Sequence, residues 1–196
     1  MTDDMILNIP VQYDAIALKT KALGFDMPSD LQTGSLLRTL VASKPGSRIL
    51  ELGTGTGLAT SWILSGMDSS ASLVSVDNNG LLIGVAQEQL KDERIRFTCA
   101  DGYEWIRTYS GPPFDLIFAD AMPGKYDLFE ETFALLKTGG IYLIDDMLPQ
   151  PNWPEGHAQR VDAFIAELET RTDLLLTKLH WSTGIIIVTK TSNFNH

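Results

Sequence analysis

The run Glu51-Leu52-Gly53-Thr54-Gly55-Thr56-Gly57 sets glycines at alternate positions between the apolar stretch Arg48-Ile49-Leu50 and a helical pattern that starts at Leu58. In a strand–turn–helix order, such glycines let the backbone approach a ligand where any Cβ would clash. The helix start aims unpaired N–H groups at the same place. A second apolar run, Leu73-Val74-Ser75-Val76, ends in Asp77, roughly 20 residues past the last glycine. There an α/β nucleotide site holds its ribose with a carboxylate. The chemistry implied is the binding of a ribose-bearing cofactor; the plain alternative is a tight turn with incidental glycines.

The spacing narrows the cofactor. A dinucleotide fingerprint needs its last glycine one place later, and position 58 is Leu. A nucleoside-triphosphate loop needs Gly-Lys-Ser/Thr, and no lysine or arginine follows Gly57 until well past Asp77. A cofactor without phosphates fits better. The Glu-x-Gly-x-Gly-x-Gly string and its following acid resemble motifs I and II of S-adenosylmethionine-dependent methyltransferases. The resemblance implies that Gly53, Gly55 and Gly57 line the donor's methionine part and that Asp77 takes its ribose; Asn78 is placed to share the ribose, and Glu51 and Thr54 are further candidates for binding the cofactor.

Those motifs need strands to carry them. Strand-length apolar runs lie at 47–52, 73–77, 95–100, 114–119 and 140–145, with helical patterns at 58–65, 81–91, 103–109, 128–137 and 157–170. Little alternation within the runs suits strands covered on both faces. Thr138-Gly139-Gly140 is expected to stop the fourth of these helices and restart a strand. Residues 174–181 and 185–190 are strands joined by Ser182-Thr183-Gly184, a join short enough to force an antiparallel pair. The expected fold is α/β: a Rossmann-like, seven-stranded, mostly parallel sheet with a C-terminal antiparallel hairpin and helices on both faces. Two further helices, 11–23 and 31–43, are separated by Pro28 and Ser29, with Ser29 or Asp30 as cap. Residues 1–45 are expected to cover the ligand mouth or form a homodimer contact, and 46–196 to form the core of a single domain.

Composition sets the outer bounds. The chain of 196 residues has 25 acids against 15 bases, a formal net charge of −10. Such a surface repels phosphate backbones, so nucleic acid is an unsuitable substrate, and it disfavours anionic membranes. No apolar run approaches a membrane span. The acidic Met1-Thr2-Asp3-Asp4 lacks the features of a secretory leader. The single Cys99 cannot form an internal disulfide, and its place in an apolar strand suggests a buried thiol. Together these suit a cytoplasmic protein.

Nearly every parallel strand finishes in an acid: Glu51, Asp77, Asp101, Asp120, and the pair Asp145-Asp146. In a doubly wound sheet, ligands gather at those ends. Asp101-Gly102 is placed to accept from an adenine amino group, and Trp105 to flank the ring or pack the core. Asp120, Asp145 and Asp146 end adjacent strands. Either they hold a divalent cation such as Mg²⁺, which would lower a hydroxyl's pKa, or Asp120 contacts cofactor or substrate while the others cap a loop. The proline-rich stretch 148–157 leaves this edge, bringing Trp153 and His157. His157 either serves as a general base or simply opens the last long helix; His180 and His196 carry no expected role.

A narrower likeness follows. Asp120-Ala121-Met122-Pro123-Gly124-Lys125-Tyr126, Gly139 to Asp146, and Thr33-Gly34-Ser35-Leu36-Leu37 are similar to segments of the catechol and caffeoyl-CoA O-methyltransferase branch. The likeness implies Asp120, Asp145 and Asp146 as metal ligands. Asp146 stands where that branch has Asn. Pro123 stands where it has a lysine that deprotonates the acceptor, and Lys125 lies two residues on. Asp120, Lys125 and His157 are thus the candidate catalytic groups, for methyl transfer to a small-molecule acceptor, at a hydroxyl oxygen by the branch's habit. A non-catalytic donor-binding module and a nicotinamide oxidoreductase are the rival readings.

Overall fold

The computed structural model describes residues 5–192; His196 and the acidic start at 1–4 lie outside that range. Seven strands form one sheet in the order β3-β2-β1-β4-β5-β7-β6. The parallel core is β1 (Arg48–Leu52), β2 (Ser72–Asp77), β3 (Ile95–Cys99), β4 (Phe114–Ala119) and β5 (Leu136–Ile144). β6 (Leu174–Leu179) and β7 (Ile185–Lys190) pair antiparallel, with β7 lying antiparallel on β5. The expected sheet with its closing hairpin is therefore present.

The helices are α1 (Tyr13–Ala22), α2 (Leu31–Ala42), α3 (Leu58–Gly66), α4 (Gly80–Gln89), α5 (Gly102–Thr108), α6 (Phe129–Ala134) and α7 (His157–Glu169). They bury two apolar clusters, one on each face of the sheet. Alternation along β4 divides them: Leu116 and Phe118 pack with Ile16, Leu37 and Ile63, whereas Ile117 and Ala119 pack with Ile106, Phe133 and Phe164. Gly34 permits the close approach of α2 to α3, because a Cβ there would meet the Trp62 ring at 2.2 Å. No helix among the described residues is long and apolar enough to cross a membrane.

Two expectations are corrected. The fourth predicted core helix was to run to 137, but α6 ends at Ala134 and β5 begins at Leu136. Leu136 already pairs with Phe114, and Gly139, at φ +77°, sits in the irregular register that follows. The glycines thus bend a strand already begun, rather than starting one. Cys99 is exposed, not buried. It lies on β3, the sheet's edge, which pairs only with β2 and is covered less completely than the central strands.

Candidate active site

The carboxyl ends of β1, β2, β4 and β5 open on a cavity of about 760 Å³, lined also by the linker between α1 and α2. β1 ends in the glycine turn. Gly53 has φ +100°, and a Cβ on it would meet the Asp120 backbone oxygen at 2.5 Å, so only glycine lets β1 pass the end of β4. The Gly55 N–H donates to Asp77 Oδ2 at 2.8 Å, while the Asn79 N–H donates to Oδ1 at 2.8 Å. Asp77 therefore clasps the glycine turn to the end of β2. Asn79 in turn caps α4 by accepting from the N–H groups of Leu81 and Leu82.

Gly53, Thr54, Gly55, Asp77, Asn78, Asp101 and Gly102 all line the cavity, as do Asp120, Lys125, Asp145, Asp146 and His157. Two expected lining residues do not reach it. Gly57 faces α4 instead: a Cβ there would meet Ala86 Cβ at 2.9 Å, so its bareness serves helix packing. Glu51 is fully buried beneath the turn. Thr60 Oγ1 and Ser75 Oγ donate to its Oε2 at 2.6 and 2.5 Å, while Oε1 has no partner. Burial lifts its carboxyl to about 7, against the downward pull of the two hydroxyls. Ser75 also meets Thr54 Oγ1 at 2.6 Å, so Glu51 braces the turn from below. Trp105 does not flank the cavity. It stacks on Tyr109, ring centroids 4.7 Å apart, as a core residue. Asp101 caps α5 by accepting from the Glu104 N–H at 3.0 Å.

The second half of the cavity is the acid rim. Asp120 Oδ2 accepts from Ser29 Oγ at 3.1 Å. Asp145 is buried, with Oδ1 accepting from Thr183 Oγ1 at 2.7 Å and from the Asp146 N–H at 2.8 Å. Asp146 adopts φ +58°, a conformation Asp and Asn tolerate better than most residues. Burial, and then the neighbouring Asp145, push the Asp120 carboxyl well above the usual range, opposed by Lys125. Burial and then Asp146 lift Asp145 to about 6. Lys125, only 5% exposed, places Nζ 3.7 Å from both Asp120 Oδ1 and Asp146 Oδ2.

That lysine decides the fit of a metal. A dication needs oxygen ligands at about 2.0–2.6 Å, and one held by Asp120 and Asp146 has to displace their ammonium counter-ion. Among the described residues, no group of three or more His, Cys, Asp or Glu side chains is arranged to hold a metal ion. The expected set of Asp120, Asp145 and Asp146 is thus gathered at one rim but does not fit a divalent cation while Lys125 lies between two of its members.

An aromatic wall completes the cavity. His157, the first residue of α7, meets Tyr126 edge-on at 5.2 Å and Trp153 at 4.6 Å. Burial, then Lys125 and Arg160, lower the His157 pKa, so the imidazole is neutral at pH 7. Sequence reasoning offered residues 1–45 as a cover for the ligand mouth but named no lining residue there: Phe25, Met27, Pro28 and Ser29 of the linker line the cavity. Phe25 packs over the turn, where a Cβ on Gly55 would lie 3.3 Å from its ring. Of the two cap candidates, Asp30 caps α2 and Ser29 serves Asp120. The separation of two helices by Pro28-Ser29 was the only sequence signal for this.

The sequence pattern of a family described as a methyltransferase domain matches residues 50–147, half of the chain. The chain belongs to this methyltransferase-domain family. It is 29% identical over 117 residues to a Mycobacterium ulcerans protein whose description proposes an O-methyltransferase, a match covering 57% of this chain and 52% of that protein. The chain thus matches about half the length of the curated relatives. Its fold is that of solved O-methyltransferases. TomG from Streptomyces achromogenes, involved in tomaymycin synthesis and solved in complex with SAM, superposes with a TM-score of 0.82 at 20% identity, covering 97% of this chain and 94% of that one. The Bacillus cereus O-methyltransferase in complex with SAH gives 0.78 at 20% identity, covering 96% and 94%.

Proposed function

We propose that this methyltransferase-family protein is an enzyme that transfers the methyl group of S-adenosylmethionine to a hydroxyl oxygen of a small-molecule acceptor. The observation that carries this reading is the clasp of Gly55 by Asp77 at the mouth of a cavity large enough for donor and acceptor together. The loop carries no lysine or arginine, which suits a cofactor without phosphates. The related proteins solved with SAM or SAH support the same reading.

In this reading, Gly53, Thr54 and Gly55 seat the methionine part, Asp77 and Asn78 the ribose, and Asp101 and Gly102 the adenine. The acceptor occupies the side lined by Trp153, Tyr126 and His157. Its oxygen forms a bond to the methyl carbon as the S–C bond breaks, with that electron pair returning to sulfur. The sulfonium is already electrophilic, so the protein's part is to align the three atoms and exclude water. Neutral His157 takes the acceptor's proton. Asp120, anchored by Ser29, and Lys125 position the acceptor oxygen. No step is assigned to a divalent cation.

Residues 1–196 act as one cytoplasmic domain whose N-terminal segment covers the site. The exposed Met5, Leu7, Val11 and Leu18 in that segment offer a contact for a second copy. The net charge of −10 speaks against nucleic acids and anionic membranes as partners. The test is release of S-adenosylhomocysteine across a panel of small hydroxyl, amine and thiol acceptors. Turnover with a hydroxyl acceptor is expected; donor binding with no turnover on any of them would leave a binding module instead.

A further inference from the structure

We propose that the Lys125 ammonium is a tethered stand-in for a divalent cation: it binds the acceptor oxygen between the ends of β4 and β5, so that turnover requires no metal. This rests on the methyltransferase reading above.

Three observations carry it. First, the position of Lys125 is built. Gly124, at φ +84°, lets the loop turn under Leu52, where a Cβ would lie 2.4 Å from Cδ1, and its carbonyl accepts from the buried Tyr142 hydroxyl of β5. The Lys125 N–H donates back to the Met122 carbonyl at 3.3 Å. The loop therefore delivers this side chain to the rim from a fixed base.

Second, Lys125 is 5% exposed, and a buried ammonium is retained only where opposite charge compensates its lost hydration. The compensating groups are Asp120 and Asp146, one from each strand end. These are two of the three carboxylates expected to ligate a cation. The third, Asp145, has one oxygen committed to Thr183 and to the Asp146 N–H.

Third, both ion pairs are 3.7 Å long, beyond hydrogen-bond length. An ammonium has three N–H donors, and this one lines the cavity. It is thus open to a third oxygen, supplied by the acceptor. A charge-assisted bond from Nζ favours the anionic form of that oxygen before attack. The proton leaves to His157, the O–CH₃ bond forms, and the S–CH₃ pair returns to sulfur. Lys125 holds a positive charge beside that oxygen, as a metal would.

The test pairs a Mn²⁺ titration read by electron paramagnetic resonance with turnover in EDTA, on the full chain and on Lys125→Ala. The wild type is expected to take up no Mn²⁺ and to lose no turnover in EDTA. Lys125→Ala is expected to bind Mn²⁺ at the vacated rim, in competition with Mg²⁺. It should lose turnover about tenfold to a hundredfold, as loss of a bond from a charged donor implies, with partial recovery on adding Mg²⁺ or methylammonium. Stoichiometric Mn²⁺ binding by the wild type, with turnover lost in EDTA, overturns the proposal. So does a Lys125→Ala that binds no Mn²⁺, or one that turns over at the wild-type rate. Should Lys125→Ala fail to fold, Lys125→Met keeps the packing, and wild-type turnover in that variant is equally fatal. Calorimetry with S-adenosylhomocysteine separates the two levels: without heat in the wild type, it is the methyltransferase reading that fails.

Discussion

Glu51 offers a sharp test of how the cofactor turn is supported. Its carboxyl is fully buried under the turn, with two hydroxyls on one oxygen and none on the other. Burial raises its pKa from 4.5 to about 7. The folded chain therefore keeps a proton that the unfolded chain releases. By linkage, this contribution to stability is whole below about pH 4.5 and is lost as pH rises through about 7. The rise from 4.5 to about 7, at about 1.36 kcal/mol per pH unit, amounts to about 3 kcal/mol by pH 8. Glu51→Gln keeps the shape and removes the titration. Urea unfolding of both proteins at intervals between about pH 5 and pH 8 gives the stability difference. Asp120 and Asp145 are also raised, but they titrate in both proteins and cancel. The wild type is expected to fall relative to Glu51→Gln by about 2.5 kcal/mol across the range. Parallel curves would mean that Glu51 ionises as if in water, and the buried brace would be wrong.

Other perturbations separate the parts of the site. Gly53→Ala drives a Cβ against the Asp120 backbone oxygen at a positive φ; calorimetry should show S-adenosylhomocysteine affinity down at least about tenfold, with a stability loss of about 1–3 kcal/mol. Ser29→Ala removes the hydroxyl bonded to Asp120; it should cost about 0.5–1.5 kcal/mol in unfolding and lower kcat more than it changes cofactor affinity. Trp153→Ala opens the aromatic wall; the acceptor KM should rise about tenfold, with S-adenosylhomocysteine affinity unchanged in calorimetry.

Much of the fold was legible because its signals are local. Apolar runs ending in acids, a glycine turn, and a three-residue join before the last strand each reflect neighbours in the chain. The families of strand ends and the hairpin followed from them. What was not legible depends on distant packing. Gly57 reads like its neighbours in the motif, yet its direction is set by Ala86 on α4. Trp105 has the right spacing to flank an adenine, but Tyr109 and Phe114 draw it into the core. Ser29 reads as a helix cap, and only the fold brings it to Asp120, 91 positions away. Lys125 was visible as a displaced lysine; its place between two carboxylates required the turn at Gly124.

The proposed seat for an adenosyl sulfonium donor at the Gly53–Asp77 clasp is best tested by isothermal calorimetry with S-adenosylhomocysteine on the wild type and on Asp77→Ala. Stoichiometric heat in the wild type, with affinity at least about tenfold weaker in the variant, is the predicted result. No heat in the wild type at millimolar ligand, or equal affinity in both proteins, would contradict it.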